Sequence, residues 1–150
     1  VLLGLAETLG MHIRKDEAEI QVVSLDICDC EFNRISHQRV LENPTDITKE
    51  IYQAAARLLD EAWNQMPIRK LGIHTGKVGE AGWSRQMSLF DSGDYLKEKR
   101  WDRTIDHIRY RHGMDAIKRA VFLGQPRIDH LSGGISREKR SVDYAKIKID

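Results

Sequence analysis

One stripe constrains this chain more than any other. Ile47, Ile51, Ala54, Ala55, Leu58 and Ala62 recur at the three- and four-residue spacing of an amphipathic helix. Asn43-Pro44-Thr45-Asp46 stands just before it and offers an N-cap, and Pro67 blocks helix beyond it. A face of this kind must bury against a second layer, and the flanking segments supply one. In Ile20–Cys28, Val23, Leu25 and Ile27 alternate with polar or small residues, the pattern of a half-buried strand. Glu31-Phe32-Asn33-Arg34 makes a turn, and Ile35–Glu42 returns as the second arm of a hairpin. Ile68–Thr75 forms a third strand with Leu71 and Ile73 toward the core. Ahead of all these, Leu2, Leu5, Ala6, Leu9 and Ile13 place a second amphipathic helix over residues 1 to about 15. The order helix, strand, strand, helix, strand predicts an α+β fold, an antiparallel sheet with two helices packed on one face.

From Gly76 the periodicity stops. Glycines 76, 79, 82 and 93 punctuate a stretch that reads as a linker. The expected organisation is a compact body over residues 1–78, a linker over 79–94, a helical segment over 95–123 and a flexible tail over 124–150. Within the helical segment, one helix runs from about Asp94 to Arg111 and stops at His112-Gly113, and a short second one is expected over Asp115–Val121. The alternating residues Val142 to Ile149 could form a strand if they found a sheet edge.

The composition, 41% hydrophobic and 31% charged with three prolines, excludes wholesale disorder. No apolar run approaches the roughly 18–20 residues of a membrane span. The opening Val1-Leu2-Leu3-Gly4-Leu5-Ala6 has no basic flank or cleavage site, and it begins inside an apolar pattern, as a piece of a longer protein would. Cys28 and Cys30 lie two apart on a strand, poorly placed for a disulfide. No further ligands stand at zinc spacing, so both read as reduced thiols and no metal site is expected. Reduced thiols favour a cytoplasmic setting.

Net charge is only +1, but its sign is unevenly distributed. Residues 1–68 carry 6 Lys and Arg against 12 Asp and Glu, whereas residues 69–119 carry 12 against 7. That asymmetry is compatible with a polyanion-facing surface and, equally, with a solvated mixed-charge one.

Catalytic constellations are missing. No glycine-rich phosphate loop, nucleophile elbow or metal-spaced His/Glu helix occurs. Asp26 and Asp29 fall on opposite strand faces. Asp102 and Asp106 stand one helical turn apart beside Arg103 and Arg109, which reads as surface ion pairing. No catalytic residue is assigned.

Particular stretches carry a resemblance. They are Leu2-Leu3-Gly4-Leu5-Ala6 leading to Ile13-Arg14-Lys15; Val22 to Ile27 running into Glu31-Phe32; Ile35-Ser36-His37-Gln38-Arg39; Asn43-Pro44-Thr45 before the long helix; and Pro67-Ile68-Arg69-Lys70-Leu71-Gly72-Ile73 after it. In this order they resemble the little-finger domain of Y-family lesion-bypass DNA polymerases, the ImpB/MucB/SamB type. Downstream, Arg85-Gln86-Met87-Ser88-Leu89-Phe90 is similar to the sliding-clamp-binding peptide of bacterial members, with Met87 where Leu is more usual. Ile105 to Gly113 and Ala116 to Ala120 resemble the helical stretch that often trails it.

The resemblance implies a four-stranded sheet whose first strand precedes the first helix, so that strand is missing here and the sheet edge it would cover is open to a homodimer partner. It implies DNA as a partner, held by its backbone, and a bacterial sliding clamp as a second. It also implies a polymerase parent whose magnesium-binding acidic residues lie in a palm domain that this chain lacks; no cofactor is expected in the chain itself. The free sheet face follows from the strand alternation: with Leu71 and Ile73 toward the core, Lys70, Gly72 and His74 point away. On the return strand either Ser36 and Gln38 or His37 and Arg39 share that face, so all four are candidates for DNA contact. Gln86, Met87, Ser88, Leu89 and Phe90 are the candidates for clamp contact. A non-enzymatic nucleic-acid or protein-binding module is the alternative.

Overall fold

The computed structural model describes residues 1–80 and 94–123. Helix α1 spans Leu2–Lys15, strand β1 Ala18–Asp29, strand β2 Arg34–Thr45, helix α2 Thr48–Ala62, strand β3 Ile68–Glu80 and helix α3 Asp94–His112, with a 3₁₀ turn at Ala120–Phe122. The three strands form one antiparallel sheet in the order β2-β1-β3. The fold is α+β, as the sequence predicts.

The core lies between this sheet and the helix pair α1/α2. Val23, Leu25 and Ile27 project from β1 against Leu2, Ala6 and Ile13 of α1 and Ile51, Ala54, Ala55 and Leu58 of α2. All ten are buried. The alternation in β1 and the stripe in α2 therefore describe two sides of one interface.

Strand ends differ from their expected positions. β2 continues past Glu42 to Thr45 because the ladder absorbs extra residues there: Ile20 pairs with Thr45, yet Val22 pairs with Val40. Pro44, which lacks an N–H for the ladder, falls in that bulge, where a strand tolerates it. The Asn43–Asp46 stretch accordingly does not cap α2 by a side chain. β3 runs on past Thr75 to Glu80, since Ala18, Glu19 and Ile20 at the start of β1 offer partners for Glu80, Gly79 and Val78. Gly76 to Glu80 is therefore strand, not linker. The expected helix over Asp115–Val121 is replaced by turns and the short 3₁₀ segment.

The largest departure concerns α3, which is no loose appendage. Asp102 and Asp106 do not form surface pairs with Arg103 and Arg109; they are buried and grip Arg14 of α1. Arg109, also buried, meets Glu7 of α1 at 3.2 Å, and Arg119 pairs with the same glutamate. Lys99 reaches Glu19 at 2.6 Å. Asp102 also accepts a hydrogen bond from the Thr48 N–H at 2.8 Å, so α3 supplies the N-terminal cap that α2 lacks in its own sequence. This docking buries α1 nearly all round, Glu7 and Thr8 included.

The expected clamp peptide at Gln86 to Phe90, the flexible tail and the strand at Val142 to Ile149 lie outside the described residues.

Candidate nucleic-acid interface

The sheet face opposite α1 and α2 is built by register. Cross-strand partners share a face, so the pairings define rows running β2, β1, β3: Arg34–Cys28–Lys70, Ser36–Asp26–Gly72, Gln38–Ser24–His74 and Val40–Val22–Gly76. Register thus decides between the two candidate sets on β2. Ser36 and Gln38 stand on the open face with Lys70, Gly72 and His74. His37 and Arg39 stand opposite Leu25 and Val23 on the helix side, where Arg39 forms an ion pair with Glu61 of α2. Five of the seven candidates share one face; His37 and Arg39 do not.

Arg34 belongs to this face and sequence reading misses it. The residue looks like part of the Glu31–Arg34 turn, but it pairs with Cys28 and opens β2. Counting back by two from Ser36 is the signal that could have found it. Arg34 and Lys70, both exposed, flank Cys28 at the hairpin end of the sheet.

At the centre stands Asp26. Its carboxylate accepts a hydrogen bond from the Ser36 hydroxyl, and the Nε2 of His74 lies 2.8 Å from it. Gly72 leaves the imidazole room: a Cβ there would stand 3.3 Å from His74 Nε2, close enough to press the ring aside by a few tenths of an ångström. The face therefore holds two cations at one end and a tied polar triad in the middle. A shallow cavity of about 550 Å³ extends along it and around the β3 edge, lined among others by Arg34, Ser36, Asp26, Lys70, His74 and Leu5.

Asp29, next along β1, has a different task. Its Oδ1 accepts from the Glu31 and Asn33 N–H groups at 2.9 Å each, and its Oδ2 accepts from the Asn33 side chain at 3.1 Å. Burial pushes its carboxyl up, and these hydrogen bonds outweigh that effect and hold it below the usual value. Cys28 and Cys30 are free thiols, half-buried and exposed respectively. Among the described residues, no helix is long and apolar enough to cross a membrane.

The impB/mucB/samB family C-terminal domain matches residues 1–89. The chain is similar to DNA polymerase IV of Clostridium acetobutylicum, 32% identical over 123 residues, which cover 82% of this chain and 31% of that protein. It is similar to DNA polymerase IV of Moorella thermoacetica, 33% identical over 82% of this chain and 30% of the relative. DNA polymerase IV 2 of Bacillus subtilis gives 32% identity over 82% and 30%. The chain thus spans about a third of the length of the relatives it matches.

Proposed function

The chain belongs to the impB/mucB/samB family, whose C-terminal domain it carries, and on that premise we propose that its open sheet face grips the backbone of duplex DNA for a translesion DNA polymerase. The observation that carries the reading is the face itself: β2 and β3 present Arg34 and Lys70, both exposed, on the side of the sheet opposite the α1/α2 core. Phosphate contacts of this type fix position without reading bases, as an enzyme that traverses every sequence requires. Ser36, Gln38, Gly72 and His74 complete the surface along the duplex.

Nucleotide transfer itself belongs to the longer parent protein, along with the magnesium that such chemistry uses. The carboxylates nearest this face do not fit that metal. Asp29 is committed to turn amides and Asp26 to Ser36 and His74, and no step of the transfer runs through them. The second partner in this reading is a bacterial sliding clamp, engaged through Gln86 to Phe90, and the setting is the cytoplasm.

Anisotropy titrations of the whole chain with labelled duplexes of unrelated sequence test the reading. Wild-type affinity should be similar for all of them and should fall steeply with salt. Lys70→Glu with Arg34→Glu should weaken every duplex alike. A loss confined to one sequence, or no loss at low salt, overturns it.

A further inference from the structure

The β1–β2 hairpin ends in a feature that backbone gripping does not use. Phe32, at the tip, is 66% exposed and holds a left-handed backbone with φ of 69°. That conformation is strained for a bulky L-residue, and exposing the ring forgoes its burial. A residue such as Asn or Gly would satisfy the turn more cheaply.

The surrounding geometry makes the tip rigid. Asp29 holds the Glu31 and Asn33 amides, the Phe32 N–H donates to the Asp29 carbonyl at 3.2 Å, and the Cys30 N–H donates to the Pro67 carbonyl at 2.9 Å. The β3 strand is also irregular at this point. Cys28 pairs with Lys70 while Asp29 pairs with Ile68, which leaves Arg69 as the extra residue of a bulge. Bulges re-aim side chains, and the Arg69 guanidinium lies over the Phe32 ring, 4.6 Å from its centroid. One ring face is thus backed by a cation. Arg34 and Lys70, the outermost row of the open sheet face, stand close in chain to this tip, and the acidic side chains beside them, Asp29 and Glu31, both accept hydrogen bonds from the Asn33 side chain within the turn.

We infer that the Phe32–Arg69 pair is a stacking platform for an unpaired nucleobase, with Arg34 and Lys70 meeting the phosphates that flank it. A planar ring on a fixed turn, backed by guanidinium and bordered by cations, fits a ligand that joins a π-face to an anion. Stacking of this type is indifferent to base identity, because every base has a π-face. The inference rests on the duplex reading of the open face and extends it: the sheet takes the paired region, and the tip takes the single strand that continues beyond it.

The test uses the whole chain and three labelled DNAs: a blunt duplex, the same duplex with a single-stranded overhang, and that overhang made abasic. Wild-type protein should favour the base-bearing overhang over the abasic one by roughly fivefold or more. Phe32→Ala and Phe32→Asn should erase that preference and leave blunt-duplex affinity unchanged. Phe32→Trp should retain it, and Arg69→Ala should reduce it. The Asn variant relieves the left-handed strain, so its thermal midpoint should rise even as the preference disappears. Equal affinity for base-bearing and abasic overhangs, or a preference that survives ring removal, overturns the platform. The blunt duplex reports separately on the sheet face, since a failure there appears as lost duplex binding.

Discussion

Asp106 of α3 holds Arg14 of α1 with two hydrogen bonds, Nε to Oδ2 at 2.6 Å and Nη2 to Oδ1 at 3.1 Å. The two residues lie 92 positions apart, and both side chains are less than a tenth exposed. The same guanidinium donates from Nη1 to the Asp46 carbonyl at 2.6 Å and to Asp102 at 3.2 Å. Burial alone would depress the Arg14 pKa; the Asp106 hydrogen bond and the charges of Asp102, Asp106 and Asp46 raise it instead. One side chain thereby joins α1, the start of α2 and α3.

Replacing Arg14 with Met should therefore cost about 3–5 kcal/mol, because Asp106 would be left buried without its cation and Asp102 with only Arg119, 3.9 Å away. Lysine should recover only part of that loss, since a point charge cannot reproduce the two-pronged fork. Urea denaturation monitored by circular dichroism reads both. Unchanged stability in Arg14→Met would show that the clasp contributes nothing net.

Gly10 gives a linked prediction. A Cβ at this position would come within 2.8 Å of Arg14 Nη1 and 3.0 Å of Thr48 Oγ1. Alanine gains about 1 kcal/mol of helix propensity over glycine, yet here it must displace a guanidinium fixed by three aspartates. Gly10→Ala should therefore destabilise the protein, by about 1–3 kcal/mol. The penalty should shrink in the Arg14→Met background, where the nearer obstacle is gone and only Thr48 Oγ1 remains. A double-mutant cycle measures that coupling, and strict additivity would refute it.

Asp46 should make stability depend on pH. Burial raises its carboxyl above the usual value of 3.8 and Glu19 adds to that effect, while Lys99 and Arg14 oppose it. Its Oδ1 is buried without a hydrogen-bond partner. A raised pKa in the folded state means that the neutral form is favoured there. This contribution is fully present below pH 3.8 and is lost as pH rises through the raised value. Asp46→Asn should then be more stable than wild type at neutral pH, by about 1 kcal/mol, with the gain vanishing at acid pH. Thermal melts across that range check it, and a gain that grows as pH falls would contradict the sign.

The core was legible because its signals are local. Val23, Leu25 and Ile27 alternate, and Ile51, Ala54, Ala55 and Leu58 recur at helical spacing, so each element announces the face that it buries. The docking of α3 was not legible, because its contacts are ionic and distant. Asp102 and Asp106 look like surface charge when read beside Arg103 and Arg109, and only the tertiary structure brings Arg14 to them. The candidate face was half legible. Alternation assigned Lys70, Gly72 and His74, whereas the choice between Ser36/Gln38 and His37/Arg39 needed the register. Arg34 was hidden by the assumption that a turn ends one residue later than it does.

The β3 strand has no pairing partner on its outer edge among the described residues, and Leu71 and Ile73 stand half-buried along it. Unpaired edges recruit strands. The chain should therefore show a concentration-dependent dimer by light scattering. A strict monomer at high concentration would remove that expectation.

The last prediction concerns Gln86 to Phe90, which lie in sequence between the end of β3 at Glu80 and the start of α3 at Asp94. The flanking elements, β3 and the docked α3, both belong to the described body. In the clamp reading, Leu89 and Phe90 are apolar anchors, the kind of side chain that dominates an interface when buried in a pocket. Gln86 sets register through its amide, Met87 substitutes for the more usual leucine at similar volume, and Ser88 tolerates change. In that reading, tethering to a ring around DNA would raise local concentration and so offset a weak intrinsic DNA affinity. Calorimetry of the whole chain against its cognate clamp should show binding, and Leu89→Ala with Phe90→Ala should weaken it by roughly a hundredfold or more. The double substitution should leave blunt-duplex affinity untouched, because the proposed duplex contact lies at Arg34 and Lys70 on the sheet. Equal clamp binding by wild type and double mutant would remove the assignment.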